Sequence, residues 1–270
     1  MTGRLESELA FAGALADLAA SISLPRAGSD LDVRNKADAT PVSEVDIEVE
    51  RALRRAVAER YPDDGFVGEE DGLGPGGPRV WTVDPIDGTR NFLDGLPMWA
   101  TLIALVIDGH PVLGLVDAPA LSERYAAVEG RGATLDGEPI RASDRAALGD
   151  AFVLHSGVEE WLGDDRWSGF ARIASASRRT RGISDAWGHM LVARGSADAM
   201  LEHDPCGIWD WAAVAVVLGE AGGRLTTLDG SALHDGCDLL SSNGRLHAAL
   251  LGEISVGASA EGSGSLSPTA

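Results

Sequence analysis

The spacing of hydrophobic residues predicts helices in both halves of the chain. Residues 5–22 are rich in alanine and leucine and are followed by Pro25, which indicates a helix that proline ends. Residues 43–61 carry valine and leucine at four-residue spacing, which is typical of an amphipathic helix. Further helices are predicted near residues 164–175, 186–194 and 209–221, and in a short segment at the end of the folded chain.

Apolar runs bounded by turn residues predict strands. Residues 100–128 form three such runs, with D-G-H-P between the first two, which indicates a meander. The glycine-rich residues 130–138 indicate a hairpin, whereas G-L-G-P-G-G-P at 72–78 is predicted to be a flexible loop. The other predicted strands are residues 66–70, 80–83, 151–154, 197–201, 224–228 and 238–243.

The order of these elements changes near residue 145. Before it, strands follow one another, and after it strands and helices alternate. We therefore expect an α+β half over residues 1–145 and an α/β half over residues 146–254. The last residues, 255–270, are mostly small and polar and are predicted to be disordered.

Charge and cysteine content narrow the class of protein. The 270 residues include 22 Lys and Arg against 42 Asp and Glu, a formal net charge of −20. This charge argues against nucleic acid and anionic membranes as partners, because both require a basic surface. Cys206 and Cys237 are the only cysteines, too few for a disulfide scaffold. No secretory leader and no apolar run of about 18 residues is visible, so we expect a cytoplasmic protein.

The segment W-T-V-D-P-I-D-G-T at 81–89 is the first candidate for chemistry. A strand leads to Asp84, and Pro85 and Gly88 then force a turn that directs Asp84 and Asp87 to one point. Two close carboxylates repel each other unless they are protonated or bridged by a cation. Oxygen ligands suit Mg²⁺, Mn²⁺ or Ca²⁺ rather than zinc. The alternative is that both aspartates only form hydrogen bonds within the turn.

Two other acidic positions belong to the same hypothesis. Glu69 lies at the end of the preceding predicted strand, in G-E-E-D, and a neighbouring strand can bring it beside Asp84. Asp210 lies in the first turn of the helix predicted over residues 209–221, where the helix dipole favours a carboxylate without any metal. The metal hypothesis for these two residues therefore depends on the turn that carries Asp84.

Three motifs of the chain occur in the same order in a known family. They are G-E-E at 68–70, D-P-I-D-G-T at 84–89 followed by Asn91-Phe92, and W-D at 209–210 followed by A-G-G at 221–223. The chain resembles the inositol monophosphatase family of magnesium-dependent, lithium-sensitive phosphatases over residues 36–243. The resemblance implies a layered αβαβα sandwich and a homodimer, to which the hydrophobic segment 95–105 would contribute.

The resemblance also implies roles for individual residues. The implied metal ligands are Glu69, Asp84, Asp87 and Asp210 through their side chains and Ile86 through its carbonyl oxygen. The implied water-orienting pair is Asp46 and Thr89, assisted by Glu69, and the implied phosphate-binding turn is Gly88 and Thr89. Asp46 has an alternative role, because Ser43 three residues earlier is typical of a helix-capping box.

The chemistry that the resemblance implies is hydrolysis of a small phosphorylated metabolite, with two or three Mg²⁺ ions that Mn²⁺ can replace. Residues 95–105, 181–185 and 242–244 are similar to the histidinol-phosphatase-type members, so the implied ester is L-histidinol phosphate. Alternatives are inositol 1-phosphate, a broad range of sugar or nucleotide phosphates, and a non-catalytic relative that only binds metal.

The substrate contacts implied by this subgroup are Arg181, Asp185, Glu202 and Asn243. Asp185 and Glu202 suit the ammonium and imidazole groups of histidinol phosphate. An insertion at 203–208 leaves open whether Glu202 or His203 occupies the contact position. His189, on the helix predicted over residues 186–194, is expected to be structural.

Overall fold

The computed structural model of the chain describes residues 5–35, 41–70, 72–73, 77–183 and 185–255. Its helices are α1 (Leu5–Ser23), α2 (Glu44–Arg60), α3 (Thr89–Leu93), α4 (Val158–Trp161), α5 (Trp167–Ala176), α6 (Asp185–Ala193), α7 (Ile208–Glu220) and α8 (His247–Ser255). The helices predicted from the sequence are all present, and α3 and α4 are additions. The predicted disordered segment 255–270 overlaps α8 at Ser255, and the rest of it lies outside the described residues.

The strands fall into two main sheets and one short hairpin. In chain order they are β1 (Val33–Asn35), β2 (Pro41–Ser43), β3 (Gly65–Gly68), β4 (Gly72–Leu73), β5 (Arg79–Asp87), β6 (Ala100–Ile107), β7 (His110–Ala118), β8 (Glu123–Val128), β9 (Ala133–Leu135), β10 (Glu138–Ile140), β11 (Phe152–His155), β12 (Arg179–Gly182), β13 (Ala199–Cys206), β14 (Arg224–Thr226) and β15 (Cys237–Ser242). The meander and the hairpin predicted over residues 100–138 correspond to β6–β10.

The larger sheet has eight strands in the order β10-β9-β8-β7-β6-β5-β3-β4. All its pairings are antiparallel except β3 with β5, which run parallel. The prediction of a loop over residues 72–78 is wrong at its start, because Gly72–Leu73 pairs with β3 through backbone hydrogen bonds that require no particular side chain.

The smaller sheet has five strands in the order β12-β11-β13-β15-β14. β11 runs parallel to both of its neighbours, whereas β15 runs antiparallel to β13 and β14. The edge strand β12 is absent from the sequence prediction, because its residues R-T-R-G have no hydrophobic alternation. The strands of the two sheets separate between residues 140 and 152, an interval that includes the predicted half boundary at 145.

Five layers result from how the helices cover the sheets. Helices α1 and α2 pack on one face of the larger sheet, and their buried face is formed by residues such as Leu15 and Val49. Helices α6 and α7 fill the space between the two sheets, with Met190 and Val214 in that layer. Helices α5 and α8 cover the outer face of the smaller sheet. The predicted αβαβα sandwich is therefore confirmed.

Helix α1 has the length and apolar composition of a membrane-spanning helix. By length and composition alone, the described residues contain one candidate membrane span, Leu5–Arg26, with a mean hydropathy of 1.3. Its buried face, which includes Ala12 and Ala16, packs against α2 in the core of the first layer. A helix packed in a protein core passes the same test of length and composition.

Candidate active site

An irregularity in β5 brings Asp84 and Asp87 to the same side of the sheet. Side chains three positions apart on a regular strand point to opposite faces. Here Asp84 pairs with Leu102 and Asp87 with Ala100, so β5 has one residue more than β6 in this interval. That extra residue is a bulge, and Asp84 Oδ1 accepts a hydrogen bond from the Ile86 amide at 2.9 Å. The turn hydrogen bond and the shared orientation therefore coexist.

The parallel pairing of β3 with β5 brings Glu69 to the same place. Gly68 lies opposite Val83, and the Glu69 amide donates to the Val83 carbonyl oxygen at 3.3 Å. Glu69 thus follows Gly68 just as Asp84 follows Val83, which is the arrangement expected from the sequence. Buried Glu50 supports this end of β3, because its Oε2 accepts the Glu70 amide at 2.7 Å.

Helix α7 brings Asp210 to the two aspartates of β5. Asp210 Oδ2 caps the helix by accepting the Gly207 amide at 2.6 Å, so the alternative role noted from the sequence is present. One carboxylate oxygen each from Asp84, Asp87 and Asp210 nevertheless lies within 4.8 Å of the others. The capping bond directs Asp210 into the pocket rather than away from it.

Crowding and burial disfavour the ionised form of these acids. Burial raises the pKa of Asp84 well above its usual range, and the neighbouring carboxylates of Glu69 and Asp87 raise it further. Burial likewise raises the pKa of Asp87 and Asp210, again together with nearby carboxylates. A divalent cation between them would remove this repulsion. The donors are all oxygens, so the set fits a hard cation such as Mg²⁺ or Mn²⁺.

Asp46 and Thr89 meet at the edge of this cluster. Asp46 forms the predicted capping box of α2, since its Oδ2 accepts the Ser43 amide at 2.9 Å. Its Oδ1 lies 3.4 Å from Thr89 Oγ1, which also lies 3.0 Å from the Ile86 carbonyl oxygen. Burial raises the pKa of Asp46, partly offset by the Ser43 hydrogen bonds. Gly88, the residue between β5 and α3, adopts a left-handed backbone conformation with φ of 80°.

Further carboxylates line the same pocket beyond this cluster. The pocket has a volume of about 480 Å³, and Asp185 and Glu202 lie in its lining with the acids described above. Glu160 and Asp204 lie there as well, and neither was singled out from the sequence. Burial raises the pKa of Glu160, and together with the carboxylates of Asp204 and Glu202 it brings that pKa to about 7, although hydrogen bonds from Ser156 and the Gly157 amide lower it. The pocket lining thus contains carboxylates in addition to the cluster.

An irregularity of β13 places Glu202 and His203 in different surroundings. Glu202 pairs with Leu239 and Cys206 with Cys237, so three residues of β13 lie opposite the single residue Asp238. The extra chain length is absorbed in this bulge after Glu202. Glu202 therefore stays in the pocket lining, whereas His203 packs on Trp161 and pairs with Asp164 at 3.2 Å.

Two of the predicted substrate contacts do not reach the pocket within the described part of the chain. Arg181 lies on the exposed edge strand β12, and its guanidinium donates to the Thr180 carbonyl oxygen at 2.7 Å. Asn243 is buried and its amide nitrogen donates to Ser143 Oγ and to the Arg145 carbonyl oxygen, both at 2.9 Å. Its hydrogen bonds join β15 to the segment before β11, so its role here is structural.

Other pocket residues were missed by sequence reasoning. Asn91 Nδ2 donates to Asp185 Oδ2 at 3.1 Å and to the Met98 carbonyl oxygen at 2.8 Å, which joins α3 to the start of α6. Its place directly after the D-P-I-D-G-T motif was the available signal. Glu160 and Asp204 carry no such signal, because they are two acids among 42.

The fold and the pocket together define a class of protein: a layered αβαβα sandwich with a buried carboxylate cluster that suits hard cations. Residues 4–259 match the model of the inositol monophosphatase family. The chain therefore belongs to the inositol monophosphatase family. This match is wider than the resemblance noted over residues 36–243.

Curated relatives of the chain include histidinol-phosphatases. The histidinol-phosphatase of Streptomyces coelicolor is 41% identical over 257 residues, which cover 92% of this chain and 96% of that protein. The histidinol-phosphatase of Mycobacterium tuberculosis is 40% identical, over 93% of this chain and 98% of its own length. Each similarity thus spans nearly the whole of both chains.

Solved structures support the same fold. The IMPase of Thermotoga maritima superposes with a TM-score of 0.85 at 30% identity, covering 93% of this chain and 98% of that chain. The extragenic suppressor protein suhB of Bartonella henselae superposes with a TM-score of 0.86 at 26% identity, covering 92% and 98% of the two chains.

Proposed function

We propose that this protein is a metal-dependent phosphomonoesterase that hydrolyses L-histidinol phosphate to L-histidinol. The observation that carries the substrate choice is a second group of carboxylates, Asp185 and Glu202 among them, that lines the same pocket as the proposed metal ligands. An ester with an ammonium group and an imidazole can balance both groups of carboxylates, because its phosphate meets the metal cluster and its cationic end meets Glu202 and Asp185. The similarity to two histidinol-phosphatases supports the same choice.

The proposed metal ligands are Glu69, Asp84, Asp87 and Asp210, with the Ile86 carbonyl oxygen, for two or three Mg²⁺ ions. When bound, these cations supply positive charge that offsets the phosphate and makes water a stronger nucleophile. The chain itself crowds the buried carboxylates at one point, which costs free energy without a cation and makes the site selective for one.

Asp46 and Thr89 are the proposed pair that orients the attacking water. The Thr89 hydroxyl has two acceptors within reach, Asp46 Oδ1 and the Ile86 carbonyl oxygen, so its own lone pairs stay available to a water. Water held on the far side of the phosphate from the leaving oxygen suits in-line displacement. The backbone amides of Gly88 and Thr89 are the proposed phosphate donors.

A substrate panel tests the proposal. Phosphate release is measured with Mg²⁺ and after chelation on L-histidinol phosphate, inositol 1-phosphate, fructose 1,6-bisphosphate and 3′-phosphoadenosine 5′-phosphate. We expect L-histidinol phosphate to have the highest kcat/KM. If inositol 1-phosphate exceeded it by about tenfold, the substrate choice would be refuted, since that ratio is what one good polar contact contributes.

Asp87→Asn tests the metal site by two readouts. We expect metal-dependent phosphate release to fall by at least about 100-fold, because a ligand charge is lost. We also expect Mg²⁺ to raise the Tm of the wild type and to have little effect on the variant. Survival of the wild-type rate and of the Tm shift in the variant would refute the assignment. A non-catalytic metal-binding relative would keep the Tm shift and release no phosphate from any ester.

Inositol 1-phosphate hydrolysis is the second candidate, favoured by the similarity to the IMPase of Thermotoga maritima. Lithium sensitivity and a homodimer, which the family resemblance implies, stay predictions, as does the cytoplasmic location expected from the sequence. The division into halves at residue 145 is likewise a proposal, supported by the separation of the two sheets in sequence.

A further inference from the structure

A buried histidine contacts Glu202, one of the two proposed contacts to the cationic end of the substrate. His189 is on α6, is 1% exposed and has two hydrogen-bond partners. Its Nε2 lies 2.7 Å from Glu202 Oε2, and its Nδ1 lies 2.8 Å from Ser241 Oγ. Both His189 and Glu202 lie in the pocket lining. The residue was expected from the sequence to be structural only.

The direction of these hydrogen bonds follows from their chemistry. An ionised carboxylate accepts and does not donate, so the His189 Nε2–H group donates to Glu202. The Ser241 hydroxyl can donate to Nδ1 or accept from it, so it holds the ring plane in either case. Glu202 Oε2 is thereby held in position by a buried donor.

Strand register brings the three side chains to one face of the smaller sheet. Ser241 pairs with Met200, and Met200 is two residues before Glu202 on β13, so both positions face the same way. Helix α6 packs over that face and inserts His189 between them. The contact therefore depends on the fold as a whole and not on a local motif.

Glu202 needs this support for two reasons. Regular pairing of β13 with β15 is interrupted between Glu202 and Cys206, so residues 203–205 are not paired with β15. The carboxylates of Glu160 and Asp204, which line the same pocket, repel the Glu202 carboxylate. Its second oxygen, Oε1, accepts the Asp185 amide at 3.2 Å, a longer hydrogen bond than the one from His189.

We propose that His189, backed by Ser241, is a positioning residue that holds the Glu202 carboxylate in place facing the substrate, and so sets the preference for esters with a cationic leaving group. This inference rests on the proposed function. His189 itself touches neither substrate nor phosphate in this proposal. Its effect is exerted through Glu202.

The test is the discrimination ratio, defined as kcat/KM for L-histidinol phosphate divided by kcat/KM for inositol 1-phosphate. Asparagine at position 189 reaches only where Nδ1 was, whereas glutamine can return a donor near where Nε2 was. We expect His189→Asn to lower the ratio roughly 10-fold, mainly through KM for L-histidinol phosphate, because one hydrogen bond to a charged group is lost. We expect His189→Gln to stay within roughly threefold of the wild type, since it keeps that donor.

A second buried histidine provides the matched control. His247 is also 1% exposed and also has two hydrogen-bond partners. Both are hydroxyl groups, those of Thr226 and Ser242, and each lies 2.9 Å from a ring nitrogen. Among the described residues it has no carboxylate partner, and it lies outside the pocket lining. His247→Asn is expected to lower stability and leave the discrimination ratio unchanged. An equal fall of the ratio in both histidine variants would overturn the proposal, because general destabilisation would then explain it.

Two further variants keep the outcome decisive. Glu202→Gln is expected to lower the ratio roughly 10- to 100-fold, because it removes the charge that meets the substrate cation. If it does not, recognition through Glu202 fails and so does the substrate argument. If it does while His189→Asn keeps the wild-type ratio, only the role of His189 is overturned. Should His189→Asn not fold, Ser241→Ala serves instead, with a smaller fall expected and an unchanged ratio counting against the proposal.

Discussion

The position of Asp210 depends on a close approach between α7 and the larger sheet. Gly114, on β7, lies so near the helix that a Cβ added there would be 2.4 Å from the Ala213 carbonyl oxygen and 3.0 Å from Ala213 Cα. Ordinary contact begins at 3.4 Å, so Gly114→Ala requires the helix to move by 3.4 − 2.4 = 1.0 Å. Ala213 is one helical turn after Asp210, which must therefore move too.

The magnitude of the effect follows from this displacement. Overpacking of this kind costs about 1–3 kcal/mol, which corresponds to a fall in Tm of about 2–10 °C for a chain of this length. A misplacement of about 1 Å at a reacting centre can lower the rate on the order of 100-fold. We therefore expect a large loss of kcat with a modest loss of stability, and a higher Mg²⁺ requirement.

The assay compares thermal unfolding, kcat and the Mg²⁺ concentration for half-maximal rate in two variants of the same packing region. Gly219 lies on α7 as well, and a Cβ there meets nothing within 4 Å, so Gly219→Ala is the control. We expect it to raise stability by about 0.5–1 kcal/mol and to leave the rate unchanged, because alanine favours a helix over glycine. A wild-type kcat and Mg²⁺ requirement in Gly114→Ala would refute the reasoning, as would equal effects of the two variants.

Three other substitutions test single steps of the argument. Gly68→Ala would bring a Cβ to 2.2 Å from the buried Glu50 carboxyl, so we expect a loss of about 1–3 kcal/mol and weaker Mg²⁺ binding by titration; unchanged binding would contradict the role of Glu50. Gly88→Ala combines a φ of 80° with a contact of 3.0 Å to Asp185 Oδ2, so phosphate release should fall at least about tenfold, and a wild-type rate would count against the proposed turn. Burial, with the charge of Arg224, lowers the pKa of His247 from 6.5 to about 4, so the unfolded chain binds the extra proton first as pH falls, and the stability that the neutral ring contributes above pH 6.5 is lost towards pH 4. Denaturant unfolding should show the stability difference between wild type and His247→Gln shrinking over that range by up to about 3 kcal/mol, and a constant difference would disprove it.

Elements that depend on short-range chemistry can be predicted from the amino-acid sequence alone. The helix near residues 43–61 follows from its hydrophobic period and its Ser43–Asp46 capping box. The turn that directs Asp84 and Asp87 together follows from Pro85 and the bulge-forming residues around it. These features need only neighbours along the chain, so a single sequence carries the information.

Which residues beyond the motifs meet in the pocket depends on the tertiary structure and could not be predicted from local sequence patterns. The bulge in β13 keeps Glu202 in the lining and turns His203 away, and edge strand β12 carries Arg181 out of reach. Helix α6 brings His189 onto Glu202 from a different layer, although the two were unrelated in the sequence pattern. Strand register and helix packing depend on many distant contacts at once, and no local spacing encodes them.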